Sequence, residues 1–145
     1  MEPITCFRGK NEFLSDGYGC FVVYEGTEYP SLQHAFQAAK TLDEAERFLF
    51  RICPSAKDAR QLGRTVKLRA DWEDVKEDIM YSLLCNKFSD PTLQEKLIGT
   101  RDPPLIYVNT WHDTFWGIYK GIGSNRYGML LMKVRDELRQ ELDRR

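Results

Sequence analysis

The sequence predicts an α+β fold: one helix-rich domain over residues 1–145 with a few short strands. Three observations lead there. Apolar residues recur at helical spacing in several segments, each opened by a capping residue. The stretch "CFVVYEGTEYPS" instead sets β-branched and aromatic residues in two short runs about an "EG" pair. No repeat, low-complexity tract or Pro/Gly/Ser-rich linker interrupts the chain.

The elements follow in order. The "EG" stretch reads as a β-hairpin. Ser31 then caps a helix through "LQHAFQAAK", where Leu32, Ala35, Phe36 and Ala39 recur at core spacing and Gln33, His34, Gln37 and Lys40 take other directions. "DEAE" at Asp43–Glu46 and "SAKD" at Ser55–Asp58 have capping-box form, and Gly63 is a stop for the second. Asp71 is the expected N-cap of a helix whose core stripe is Val75, Ile79, Leu83 and Leu84. Asp90-Pro91 opens another helix, ended by Gly99. "PLIYVN" is a strand candidate at 105–108. A long amphipathic helix follows, with Leu130, Leu131, Val134 and Leu138 inward.

A chain of 145 residues is long enough to bury a core without disulfides or metal. Its 21 Lys and Arg against 22 Asp and Glu leave no basic excess for gripping a long phosphate backbone, although a local basic pocket stays open. Cys6, Cys20, Cys53 and Cys85 lie far apart with no CxxC or CxH pairing, which predicts four reduced, mostly buried thiols. The start "MEPITCFRGK" has no apolar leader and no run approaches membrane-spanning length, so the expectation is a soluble, cytoplasmic protein.

Several stretches carry polar and aromatic residues beyond structural need. In "WHDTFWGIYKGIGSN", residues 111–125, Asp113 stands between Trp111 and Trp116 beside Phe115. Indole faces stack on bases, and a carboxylate bonds a ribose hydroxyl or stabilises positive charge at an anomeric carbon. The same stretch also fits a capped turn with tryptophans in the core. In "GIGSN", Gly121 and Gly123 permit positive φ, and the helix starting at Asn125 offers amides to a phosphate. Gln33, His34 and Lys40 are site candidates on their helix. A lysine in an apolar pocket becomes a nucleophile, whereas a solvated lysine does not. Trp72 is either a helix-start anchor or a stacking wall. With His34 and His112 as the two histidines and no cysteine near either, no metal site is expected.

Taken together these motifs resemble the NADAR, or YbiA-like, domain family. The likeness runs from "ITCFRGKNEFLS" through "EYPSLQHAFQAAKTLD", "AKDARQLGR" and "RADWEDVKEDIMYSLLCNKF" to "NTWHDTFWGIYKGIGSNRYGMLLMKVRDEL". The resemblance implies an N-glycosidase acting on a ribosyl C1–N bond without metal or redox cofactor. The substrate would be a phosphoribosylamino pyrimidine of early riboflavin synthesis, or ADP-ribosylated guanine in DNA or RNA, the latter often beside a toxin that transfers the ADP-ribose. The family's "EHAFQAxK" helix falls on Gln33 to Lys40, its "DW" on Asp71-Trp72, its "DxFWG" on Asp113 to Gly117 and its "GxGxN" on Gly121 to Asn125. Asp113, Lys40 and the position of Gln33 are thereby the catalytic candidates. Trp72, Trp116, His34, Phe115, Gly121, Gly123, Asn125, Arg8 and Arg64 are the binding candidates.

The chain departs from that pattern. Gln33 stands where the family usually has Glu, Asp16 replaces the asparagine of "LSNF", and a Glu expected before "NTW" is missing around Tyr107-Val108. A glutamine bonds a hydroxyl but exchanges no proton. Three readings follow: an enzyme relying on Asp113 and Lys40 with Asp16 as second carboxylate, a non-catalytic ADP-ribose or nucleotide reader, and an introduced substitution that traps ligand.

Overall fold

The computed structural model describes residues 1–145, with six α-helices, one 3₁₀-helix and a two-stranded sheet. The expected α+β class is what forms. The chain divides into two compact units, Asp16–Lys87 and Met1–Ser15 with Phe88–Arg145. No helix is long and apolar enough to cross a membrane.

In the unit Asp16–Lys87, β1 (Val22–Tyr24) and β2 (Thr27–Tyr29) pair antiparallel, Val22 facing Tyr29 and Tyr24 facing Thr27. Glu25 and Gly26 both take positive φ, 47° and 82°, the two-residue turn that matches strand twist. Helix α1 (Leu32–Ala38) follows, with Ser31 Oγ accepting from His34 N at 3.2 Å. α2 (Glu44–Arg51), α3 (Ala56–Leu62), α4 (Trp72–Lys87) and the hairpin all pack against α1. That enclosure corrects the expected one-sided helix: every residue from Leu32 to Ala38 is buried, Gln33, His34 and Gln37 included. A seven-residue helix surrounded on all sides has no solvent face to give its polar residues.

Helix starts follow the sequence with local changes. Asp43 accepts from Ala45 N and Glu46 N, but Glu46 completes no box, because its carboxylate accepts from Thr41 Oγ1 at 2.6 Å. Ser55 accepts from Asp58 N and donates to Asp58 Oδ2. The Asp71 backbone carbonyl accepts from Asp74 and Val75 as at a helix start, while its carboxylate forks onto Arg69 Nε and Nη2 at 2.7 and 3.2 Å. Ile79, Leu83 and Leu84 are buried in α4 as expected, with Val75 half-buried.

Gly63 ends α3 as expected, but in ordinary right-handed geometry, φ −60°, with no left-handed turn. A Cβ at Gly63 would overlap Gln37 Oε1. Close approach, not turn geometry, requires this glycine.

In the other unit, a 3₁₀-helix (Gly9–Leu14) packs with α5 (Pro91–Gly99), and α5 packs with α6 (Arg126–Asp143). Asp90 caps α5 through Leu93 N, with Pro91 at the first position. Segment 105–108 forms isolated bridges rather than the expected strand: Ile4 with Leu105 and Val108 with Ile118. Its backbone is tied instead by Asn125, whose Oδ1 accepts from Tyr107 N at 2.8 Å and whose Nδ2 donates to Leu105 O at 3.0 Å. In α6, Leu130, Leu131 and Val134 are buried and Leu138 is half-buried. All four cysteines are free, but none is buried: Cys6 and Cys85 are exposed, and Cys20 and Cys53 intermediate. They fall outside the faces that the apolar stripes fill, which corrects the expectation of mostly buried thiols.

Replacing Gly63 by Ala should lower stability by about 1–3 kcal/mol, since the buried Gln37 amide must move. Gly99→Ala, where a Cβ meets nothing within 4 Å, should stay within about 1 kcal/mol of the parent. Urea unfolding of both variants checks the contrast.

Candidate functional site

Gln33, Gln37 and Lys40 lie at i, i+4 and i+7, so they share one face of α1 and the turn after it. Asp16 stands at the start of this polar stripe. Gln33 Nε2 donates to Asp16 Oδ2 at 2.7 Å, and Gln37 Nε2 donates to Gln33 Oε1 at 2.6 Å. An ionised carboxylate only accepts, so Asp16 sets the direction of both amides. The line ends at Gln37 Oε1, which is buried against Gly63 and meets no donor. Asp16 Oδ1 lies 4.0 Å from Arg60 Nη1, and the Asp16 side chain is 15% exposed.

Lys40 closes the stripe. Its ammonium is half-buried with no carboxylate beside it, and burial holds its pKa below the usual lysine range, with the Arg64 charge adding to the shift. Arg64 is exposed. Trp72 is buried and its ring lies 5.0 Å from Phe36, so it packs as a helix-start anchor in the core of its unit. His34 is also built in: Ser31 Oγ meets its Nδ1 at 2.7 Å and its Nε2 lies 3.1 Å from Cys53 O. With Nε2–H donating to that carbonyl, Nδ1 accepts from the serine, and neither nitrogen is left for a ligand. Burial pushes the imidazole pKa down. A groove of about 340 Å³ runs between residues 41–43 and 67–70, lined by none of the expected site residues.

In the other unit, the loop 109–117 is organised around Asn109 and Asp113. Asn109 Oδ1 accepts from Trp111 N and Asp113 N, and its Nδ2 donates to Asp113 O at 2.8 Å. Asp113 Oδ1 accepts from Phe115 N at 3.1 Å and Trp116 N at 2.8 Å. The aspartate thus caps its own turn and holds the half-buried Phe115 and Trp116 rings edge to face, 4.8 Å apart. Trp111 is 53% exposed.

The glycine loop serves the same turn. The amides of Ser124, Arg126 and Tyr127 donate to the carbonyls of Thr114, Phe115 and Trp116 at 2.8, 3.1 and 2.9 Å, and Asn125 N to Gly117 O at 3.4 Å. The amides expected to hold a phosphate are therefore occupied by the loop. Gly121 and Gly123 both have positive φ, and a Cβ at Gly123 would overlap Gly117 O. Asn125 is left-handed, and both ends of its side-chain amide are spent on the 105–107 backbone. Arg8 is exposed just before the 3₁₀-helix. The sequence reading gave Gln37 and Gly63 no part in the site and did not single out Asn109. The repeat of Gln at positions 33 and 37, one helical turn apart, was the available signal for the first.

A profile of the NADAR domain matches residues 3–139 of the sequence. The chain belongs to this family. It is 36% identical over 134 residues to the N-glycosidase YbiA of Escherichia coli K12, covering 86% of this chain and 84% of that one. It is 32% identical over 139 residues to an N-glycosidase of Nostoc punctiforme, covering 86% and 88%. A riboflavin biosynthesis protein of Vibrio vulnificus is 33% identical over 147 residues, which take in 97% of this chain and 40% of the longer relative. The NMR structure of E. coli YbiA superposes with a TM-score of 0.82 at 33% identity, covering 97% of this chain and 88% of that one. The NADAR fold expected from the motifs is thus present over nearly the whole length.

Asp113→Ala removes the acceptor for two amides and should cost about 1–2 kcal/mol of stability. Asp113→Asn keeps that oxygen and should melt near the parent, so the pair separates the turn-forming role from the charge. The His34 effect has a defined sign. Its folded pKa is below the ordinary 6.5, so the unfolded chain takes the proton first as pH falls. The urea midpoint should therefore drop as pH goes below about 6.5, and the drop should be shallower in His34→Gln.

Proposed function

We propose that this chain is an N-glycosidase that hydrolyses the C1–N bond between a ribosyl group and an amino or base nitrogen. The observation that carries the reading is Lys40, a half-buried amine with no carboxylate beside it and a lowered pKa. A neutral amine attacks carbon, and an ammonium does not. In the covalent route the nitrogen lone pair opens the ribose ring at C1, and the ring oxygen takes a proton. Lys40 Nζ then adds to C1, the base nitrogen leaves with its electron pair and a proton, and an imine joins Nζ to C1. Water adds to that imine, freeing lysine and the sugar aldehyde. In the direct route Asp113 activates water or stabilises positive charge at C1.

Arg64 in the unit of Lys40, and Arg8 in the unit of Asp113, are the proposed phosphate contacts for the respective routes, since guanidinium groups fork onto phosphate oxygens. Trp116 and Phe115 offer half-buried aromatic faces for a base. The N-glycosidase and riboflavin names of the relatives support a phosphoribosylamino pyrimidine as substrate. ADP-ribosylated guanine in DNA or RNA is the other substrate class, with an ADP-ribosyltransferase as functional partner, and the cytoplasm is the proposed compartment. Gln33 favours a second reading, a non-catalytic ADP-ribose reader, because its amide exchanges no proton.

The chain should release free base from at least one of ADP-ribosylated guanosine and the phosphoribosylamino pyrimidine. Borohydride added during turnover should fix a ribosyl mass on the peptide holding Lys40, absent from Lys40→Met. Turnover without an adduct rejects the covalent route. Binding of ADP-ribose, read as a raised melting temperature, without release of any base establishes the reader.

A further inference from the structure

We infer that Asp16 supplies the carboxylate that faces the reacting ribosyl group, with Gln33 and Gln37 as positioning residues that hold it. This deepens the N-glycosidase reading and rests on it. Both routes to C1–N cleavage build positive charge at C1, and a fixed, ionised carboxylate lowers that barrier without moving a proton.

Within the unit Asp16–Lys87, five other carboxylates are committed elsewhere. Asp43 caps α2, Glu46 accepts from Thr41, Glu25 pairs with Arg47, Asp58 answers Ser55, and Asp71 forks onto Arg69. Asp16 alone among these is joined to the buried stripe that leads to Lys40. Its Oδ2 is fixed by a 2.7 Å bond from Gln33, itself fixed at 2.6 Å by Gln37. The Arg60 guanidinium, 4.0 Å from Oδ1, and the buried Lys87 ammonium, whose charge Asp16 favours, both support the ionised form. The side chain keeps 15% of its surface open, enough for contact and little enough to limit screening by water.

The stripe also relates carboxylate to amine. Gln33 and Lys40 are two helical turns apart on one face, about 10 Å along the axis. Lys40 follows α1 in a turn closed by its own amide, which donates to Gln37 O at 3.1 Å and so ties it to the stripe. Glutamine at position 33 is then no deficiency. It turns its NH2 to Asp16, a bond that a carboxylate at 33 could make only by sharing a proton.

The test uses the full chain and whichever panel substrate it turns over fastest. Asp16→Asn should lower kcat about 100–1,000-fold with KM little changed and take the carboxylate's part out of the acidic limb of the pH–rate profile, leaving the part set by Lys40. Gln33→Glu should move that limb to higher pH, since two carboxylates then face each other. The double variant Asp16→Asn/Gln33→Glu, which exchanges amide and carboxylate across the same bond, should regain at least about 10-fold over Asp16→Asn. Melting curves establish that each variant is folded. A folded Asp16→Asn with parental kcat, or a double variant no faster than Asp16→Asn, overturns the assignment while leaving the N-glycosidase reading in place. No turnover of any panel substrate by the unmodified chain overturns that reading, and the assignment with it.

Discussion

The buried hydrogen-bond line Asp16–Gln33–Gln37 is the constraint on which the unit Asp16–Lys87 depends. A polar group removed from water without a partner costs about 1–3 kcal/mol, and α1 buries three polar side chains within seven residues. His34 is satisfied by Ser31 and Cys53, Gln33 by Asp16 and Gln37. The directions of these bonds follow from one charge. Because Asp16 accepts, each amide donates toward it, and Gln37 Oε1 is left without a donor. Gly63 leaves space for that oxygen, so a glycine in α3's last turn is explained by a carboxylate well upstream of it.

The other unit solves a different problem by different means. The first-turn amides of α6 need acceptors, and the N-cap Asn125 supplies none from its side chain. Backbone carbonyls of Phe115 and Trp116 take that place for Arg126 and Tyr127, presented by a turn that Asp113 closes and Asn109 anchors. Side-chain capping and anion binding both draw on the same amides. Loop carbonyls fill them here.

Legibility in the sequence tracked the range of the interaction. The hairpin, the caps at Ser31, Asp43, Ser55 and Asp90, and the long final helix depend on neighbours within a few residues, and all were readable. The 105–108 segment looked like a strand because its residues favour one, but no partner strand is present and Asn125 ties its backbone. Helical periodicity reports one face at a time, so it sets the polar half of α1 in other directions without showing that those are buried too. It gives no sign that four neighbours will enclose the helix. For the candidate site, residue types were legible and their bonding was not: His34 and Asn125 spend their side-chain polar groups on the protein itself, Trp72 packs on Phe36, and Gln37 orients Gln33.

The loop carbonyls over α6 carry one more consequence. Main-chain bonds are indifferent to which side chains a residue bears, so Thr114, Phe115 and Trp116 can be exchanged while their carbonyls go on closing the helix. Asn109, Asp113, Gly117 and Gly123 hold the backbone path. In this loop the groups that set the path of the chain are therefore distinct from the side chains that form its surface.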